Sequence, residues 1–114
     1  MTDAAEYFVF VYLAPFQRAA KGLLGESDLQ AIEASIVADP KVGATVAETG
    51  GVRKMRYALP GRGRSGGARI IYYYRGAKGR VYMITAYAKN RKENLSKAER
   101  HAIKDVIQTI DKEQ

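Results

Sequence analysis

Lys54 and Arg56 stand two residues apart with the apolar Met55 and Tyr57 alternating between and after them, and Arg69 follows in the next apolar run. On a β-strand alternate side chains share a face, which puts Lys54 and Arg56 together and Met55 and Tyr57 opposite. If the apolar pair turns toward helices, the two cations lie on the open face, where Arg69 joins them when the register allows. Three converging cations make a phosphate site, and an arginine there can hold two phosphate oxygens at once. Outward-facing strand positions are commonly Lys or Arg for solubility alone. Here no carboxylate is near enough in sequence to pair them as a surface ion pair.

The wider charge pattern points the same way. Between Thr49 and Lys92 there are twelve Lys or Arg and no Asp or Glu, although the whole chain has 12 acidic residues and a net charge of +7. A long stretch of one sign raises the local potential and draws a polyanion, so RNA, DNA or the ribosome is the expected partner. Arg53, Arg62, Arg64, Arg91 and Lys92 extend this surface as expected RNA contacts. The loop Gly61-Arg62-Gly63-Arg64-Ser65-Gly66-Gly67 could bring backbone N–H groups and guanidinium groups to a phosphate. It lacks the Lys-Ser/Thr ending of a nucleotide-binding loop and the helix that must follow one, and a plain hairpin turn reads equally well. Of eight tyrosines, alternation sends Tyr73 and Tyr87 to one side of their strands and Tyr72, Tyr74 and Tyr82 to the other. Most should be core, and Tyr87, beside Lys89 and Asn90, is the one expected to contact RNA.

With no cysteine and one histidine, the chain offers no disulfide, no thiolate ligand and no imidazole cluster for zinc, so neither metal nor cofactor is expected. His101 falls outside the apolar stripe of the last helix and should face solvent. RNA cleavage by attack of a 2′-OH needs proton transfer and stabilisation of the phosphorane charge. Arginines can supply the second, and a lysine crowded by other cations gives up its proton more readily and can supply the first. Such a site would be slow alone and fast only when a partner fixes the RNA in a reactive geometry.

These residues need elements to position them. Tyr7–Leu13 reads as a strand, and Pro15 opens a short helix over Phe16–Leu24 that Gly25 ends. Ser27–Gln30 has the form of a capping box for a second helix running to Pro40. Lys41–Gly51 reads as a loop. Val52–Leu59, Ala68–Arg75 and Arg80–Ala88 read as an antiparallel meander, and Ser96–Glu99 is a capping box for a last helix buried through Ile103, Val106, Ile107 and Ile110. The order β-α-α-β-β-β-α predicts one α+β domain over residues 1–114, with helices packed on one face of a mainly antiparallel sheet and the other face left for function. There is no 18-residue uncharged apolar run to span a membrane, and the apolar start follows Asp3 and Glu6 without a basic leader region. A cytoplasmic protein is the expectation.

The ordered pieces Gly50-Gly51-Val52-Arg53-Lys54-Met55-Arg56, Gly66-Gly67-Ala68-Arg69-Ile70-Ile71-Tyr72-Tyr73 and Tyr87-Ala88-Lys89-Asn90 resemble the HigB branch of the RelE toxin superfamily over nearly the whole chain. The resemblance implies a ribosome-dependent messenger-RNA endonuclease that is neutralised in a hetero-oligomer by a cognate antitoxin, one of HigA type with a helix-turn-helix domain. By position it implies catalytic roles for Lys54, Arg56, Arg69 and Lys89. Some relatives carry an arginine and then a catalytic Tyr or His near the start of the last helix. Arg91–Ser96 holds neither Tyr nor His, which leaves Arg91 and Tyr87 as candidates for proton transfer. Two other readings stand beside this one. ParE toxins share the architecture and poison DNA gyrase, and a non-catalytic RNA-binding module would need only the basic surface.

Overall fold

The computed structural model describes residues 8–60 and 66–113. The strands are β1 (Val9–Tyr12), β2 (Ala44–Thr45), β3 (Arg53–Tyr57), β4 (Ala68–Arg75) and β5 (Arg80–Ala88), and the helices α1 (Ala14–Ala20), α2 (Glu26–Ala38) and α3 (Lys97–Lys112). They form one sheet in the order β1-β5-β4-β3-β2. Only β1 with β5 is parallel, and the other pairs are antiparallel. The α+β class, the element order and the β3-β4-β5 meander are as the sequence predicts. The supposed loop before β3 adds the two-residue edge strand β2, which pairs Ala44 with Lys54 and Thr45 with Arg53.

The helices do not share one face. Met55, Leu59, Ala68, Ile70, Tyr72, Val81, Met83 and Ala86 pack with Phe16 of α1 and Ile32 and Ile36 of α2. Val52, Ile71, Tyr82, Ile84 and Tyr87 pack instead with Ile103, Ile107 and Ile110 of α3. The expectation of a single helical layer is therefore corrected: α3 lies on the face opposite α1 and α2. The physical reason is the centre of the sheet, where adjacent residues Ile70, Ile71 and Tyr72 are all fully buried. A strand apolar on both faces must be covered on both. Because α3 covers only part of its face, the end of the sheet around Arg56 is left open there.

A bulge decides which tyrosines face which helix. Ile71 pairs with Thr85 but Tyr72 pairs with Met83, so Ile84 is an extra residue in β5. An extra residue reverses the alternation beyond it. Tyr82 therefore lies on the α3 face with Tyr73 and Tyr87, not with Tyr72 and Tyr74 as simple alternation predicts.

The ends of the helices follow local rules, with one shift. Ser96 accepts from the Glu99 amide and Glu99 accepts from the Ser96 amide, at 3.1 and 2.8 Å, so the predicted capping box of α3 forms. For α2 the cap is Gly25, whose amide donates to Asp28 Oδ2 at 2.8 Å. The helix thus starts before the predicted Ser27, because an acid at the third helical position satisfies the earlier amide. Arg75 closes the other end of α3 by donating to the Ile110, Asp111 and Glu113 carbonyls at 2.9, 3.2 and 3.2 Å.

The turn into β3 explains the paired glycines. Thr49 is fully buried and its hydroxyl donates to the Val46 carbonyl at 2.7 Å while accepting from the Val52 amide at 3.2 Å. Gly50 and Gly51 follow with φ of 82° and 112°, and a Cβ on Gly50 would sit 3.1 Å from Ile107 Cγ2. Gly50→Ala should lower stability by about 1–2 kcal/mol through left-handed strain and pressure on α3. A thermal melt should show a drop of several degrees, and an unchanged midpoint would contradict this account.

Candidate nucleic-acid interface

The register delivers the convergence that the sequence left conditional. Arg56 is directly opposite Arg69, and Arg69 is directly opposite Tyr87, so the three form one row across β3, β4 and β5. Lys54 stands one same-face step along β3, opposite Ile71. The Lys89 amide donates to the Gly67 carbonyl at 2.9 Å, which prolongs the ladder beyond β5. Met55 and Tyr57 face α1 and α2 as predicted.

The row is electrostatically unbalanced. Two like charges directly opposite each other destabilise a sheet, and the ion pairs found among the described residues, Arg75–Asp111 and Lys92–Glu99, include neither Arg56 nor Arg69. Arg69 is half-buried, and its Nε is sealed from solvent without a hydrogen-bond partner among the described residues. Lys54 Nζ donates to Asn94 Oδ1 at 3.3 Å, tying β3 to the loop before α3. A cleft of about 380 Å³ on one side of Lys54 is lined by Arg56 and Arg69, with Ala44 and Val42. A second, of about 340 Å³, is lined by Lys54, Tyr87, Asn94, Leu95 and Arg100.

Tyr87 is buried, and its hydroxyl donates to the Glu93 carbonyl at 3.4 Å. Burial pushes its pKa above the usual tyrosine value, Arg69 pulls against this, and Glu99 adds to it. Its hydroxyl therefore keeps its proton, which it gives to the Glu93 carbonyl. Lys92 caps its ring, with Nζ 4.8 Å from the centroid, and pairs with Glu99. That contact holds Glu99 below the usual carboxylate range.

Several expected RNA contacts lie elsewhere. Arg53 belongs to the opposite face, opposite Tyr72, and donates to the Gly43 carbonyl at 2.7 Å and the Lys41 carbonyl at 3.4 Å. Alternation within β3 forces this, since its neighbour Lys54 takes the other side. Lys92 is engaged with Glu99. Arg91 is exposed and lines a third cleft, with Lys21 and Gly22 after α1, on the other side of Tyr87 from Arg100. Arg62 and Arg64 lie outside the described residues. His101 is exposed, as expected.

Arg100 was missed by sequence reasoning. It precedes Ile103 and Ile107 by three and seven residues, the spacing of the buried stripe itself, and that was the available signal. A charged residue on the sheet-facing stripe of an amphipathic helix is unusual enough to mark a site.

The described residues thus form a layered α+β fold with three α-helices, a five-stranded mixed sheet and a cationic row at its uncovered end. The fold matches a solved structure of the Escherichia coli toxin RelE, an arginine-to-alanine double mutant in the free state, with a TM-score of 0.51 at 20% identity over 75% of this chain and 87% of that one. The family described as the RelE toxin of the RelE/RelB toxin–antitoxin system matches residues 9–114. The chain belongs to the RelE toxin family of toxin–antitoxin systems.

Proposed function

We propose that this protein is a toxin that cuts messenger RNA on the ribosome and thereby stops translation. The observation that carries the reading is the Arg56–Arg69 pair, held on directly opposed strand positions with no carboxylate paired to either among the described residues, at the open end of the sheet. A fold that keeps two guanidinium groups adjacent at a cost in stability is suited to an anion that neutralises both. In the reaction the 2′-OH attacks the adjacent phosphorus, the P–O5′ bond breaks, and the products are a 2′,3′-cyclic phosphate and a 5′-OH. Arg56 and Arg69 hold the charge that builds on the phosphate oxygens. Lys54 takes part in moving the 2′-OH proton, and the leaving oxygen takes up its proton from water. Lys89 adds positive charge beside the row. The reading uses no metal and no cofactor.

The site offers few groups for proton transfer, so it depends on a partner to align the RNA, and the ribosome fits that need. The family's antitoxin, of HigA type in this reading, would hold the protein inactive in a hetero-oligomer in the cytoplasm. Primer extension on one messenger RNA in a purified translation system, with and without ribosomes, tests the reading. Cuts should require ribosomes. Intact RNA in every lane, from folded protein, would overturn it, and a halt in DNA replication before translation in expressing cells would favour gyrase poisoning.

A further inference from the structure

The second cleft beside Lys54 holds a cation that the row just described does not use. Arg100 stands on the stripe of α3 that carries Ile103 and Ile107, and it lines a cleft with Lys54 of β3 and Tyr87 of β5. Its Nε is sealed from solvent and has no hydrogen-bond partner among the described residues. No acid among the described residues pairs with it either. A guanidinium N–H withdrawn from water and left unbonded is destabilising, which favours a ligand that supplies the acceptor.

The surroundings indicate what that ligand is. Arg100 lines the cleft of about 340 Å³ together with Lys54, Asn94 and Tyr87, a volume within the range of small-molecule sites, about 300–1,000 Å³. Lys54 lines this cleft and also the one that holds Arg56 and Arg69. Lys54 and Arg56 are same-face neighbours on β3, about 7 Å apart, on the order of one step along an extended nucleic-acid strand. The Tyr87 ring is covered on one side by Lys92, so the cleft favours backbone over base stacking.

We propose that this cleft is a second phosphate subsite, in which Arg100 holds the phosphate next along the strand from the one at Arg56 and Arg69, with Lys54 standing between the two. The inference deepens the nuclease reading and rests on it for the identity of the strand. Two adjacent phosphates gripped in order along β3 fix the direction of the chain and the position of the bond to be cut.

Two 2′-deoxy dinucleotides test the subsite, identical except that one carries an additional terminal 3′-phosphate. Neither has the hydroxyl needed for cleavage. Titrated calorimetrically into the full chain, the probe with two phosphates should bind at least about 10-fold more tightly, the effect of one charge-assisted contact. Arg100→Gln should abolish that preference and leave binding of the singly phosphorylated probe unchanged. Lys104→Gln, an equal charge change at an exposed position of the same helix, should keep it. If Arg100→Gln does not fold, Arg100→Lys replaces it and should cut the preference several-fold, because its single ammonium lacks the Nε donor. A preference retained in the Arg100 variant, lost equally in Lys104→Gln, or missing from the unaltered protein would overturn the subsite. Cleavage of messenger RNA is scored separately. A protein that shows the preference but cuts nothing keeps the subsite and loses the nuclease reading, and the reverse result does the opposite.

Discussion

Arg69→Ala should reduce ribosome-dependent cleavage by about 10²–10³-fold, the usual effect of removing one donor from a developing oxyanion. Arg69 is the middle of the Arg56–Arg69–Tyr87 row, so in the proposed reaction its loss would take away the central cation of the phosphate site. Arg69→Lys should be nearly as damaging, because a point charge cannot replace a planar two-pronged donor. Stability should move the other way. Arg69 faces Arg56 without an ion-pair partner among the described residues, and relieving like charges on opposed strands is worth about 0.2–1 kcal/mol. Arg69→Met, which keeps most of the stem, should therefore melt no lower than the unaltered protein. Primer extension and thermal melts on the same preparations check both halves. Full cleavage by Arg69→Ala would remove the proposed phosphate site, and a large fall in the Arg69→Met midpoint would make the arginine structural.

Lys54→Arg should also lose activity, by about 10²-fold or more, the size of a general acid–base contribution. The logic is the converse of that for Arg69. A lysine can give up a proton and an arginine cannot, so a change that preserves charge still removes proton transfer. Binding of RNA should survive the change, since the cation remains between the two clefts. The Asn94 tether, now a 3.3 Å hydrogen bond to Lys54 Nζ, can be remade by a guanidinium. Single-turnover cleavage on programmed ribosomes separates the two effects, with the rate constant falling and the half-saturating concentration steady. A Lys54→Arg protein that cuts at full rate would assign Lys54 to charge alone.

Much of this protein is determined by local sequence. The alternation at Lys54–Tyr57 sets which of those side chains face α1 and α2, Ser96 and Glu99 start α3 where they stand, and the acid-free stretch from Thr49 to Lys92 concentrates the positive charge. Each is a matter of neighbouring residues, so it could be read without coordinates. What only the tertiary structure decided depends on contacts between segments far apart in the chain. The register places Arg56 against Arg69. The bulge at Ile84 brings Tyr82 round to the side of Tyr87. α3 takes the face opposite α1 and α2, although the adjacent buried residues of β4 already hinted that both faces needed cover. That placement makes a cleft of Arg100, Lys54 and Tyr87, residues from a helix and two strands. A helical stripe states which residues are turned inward, but the side of the sheet it meets is chosen by whichever apolar surface remains uncovered once the other helices have packed.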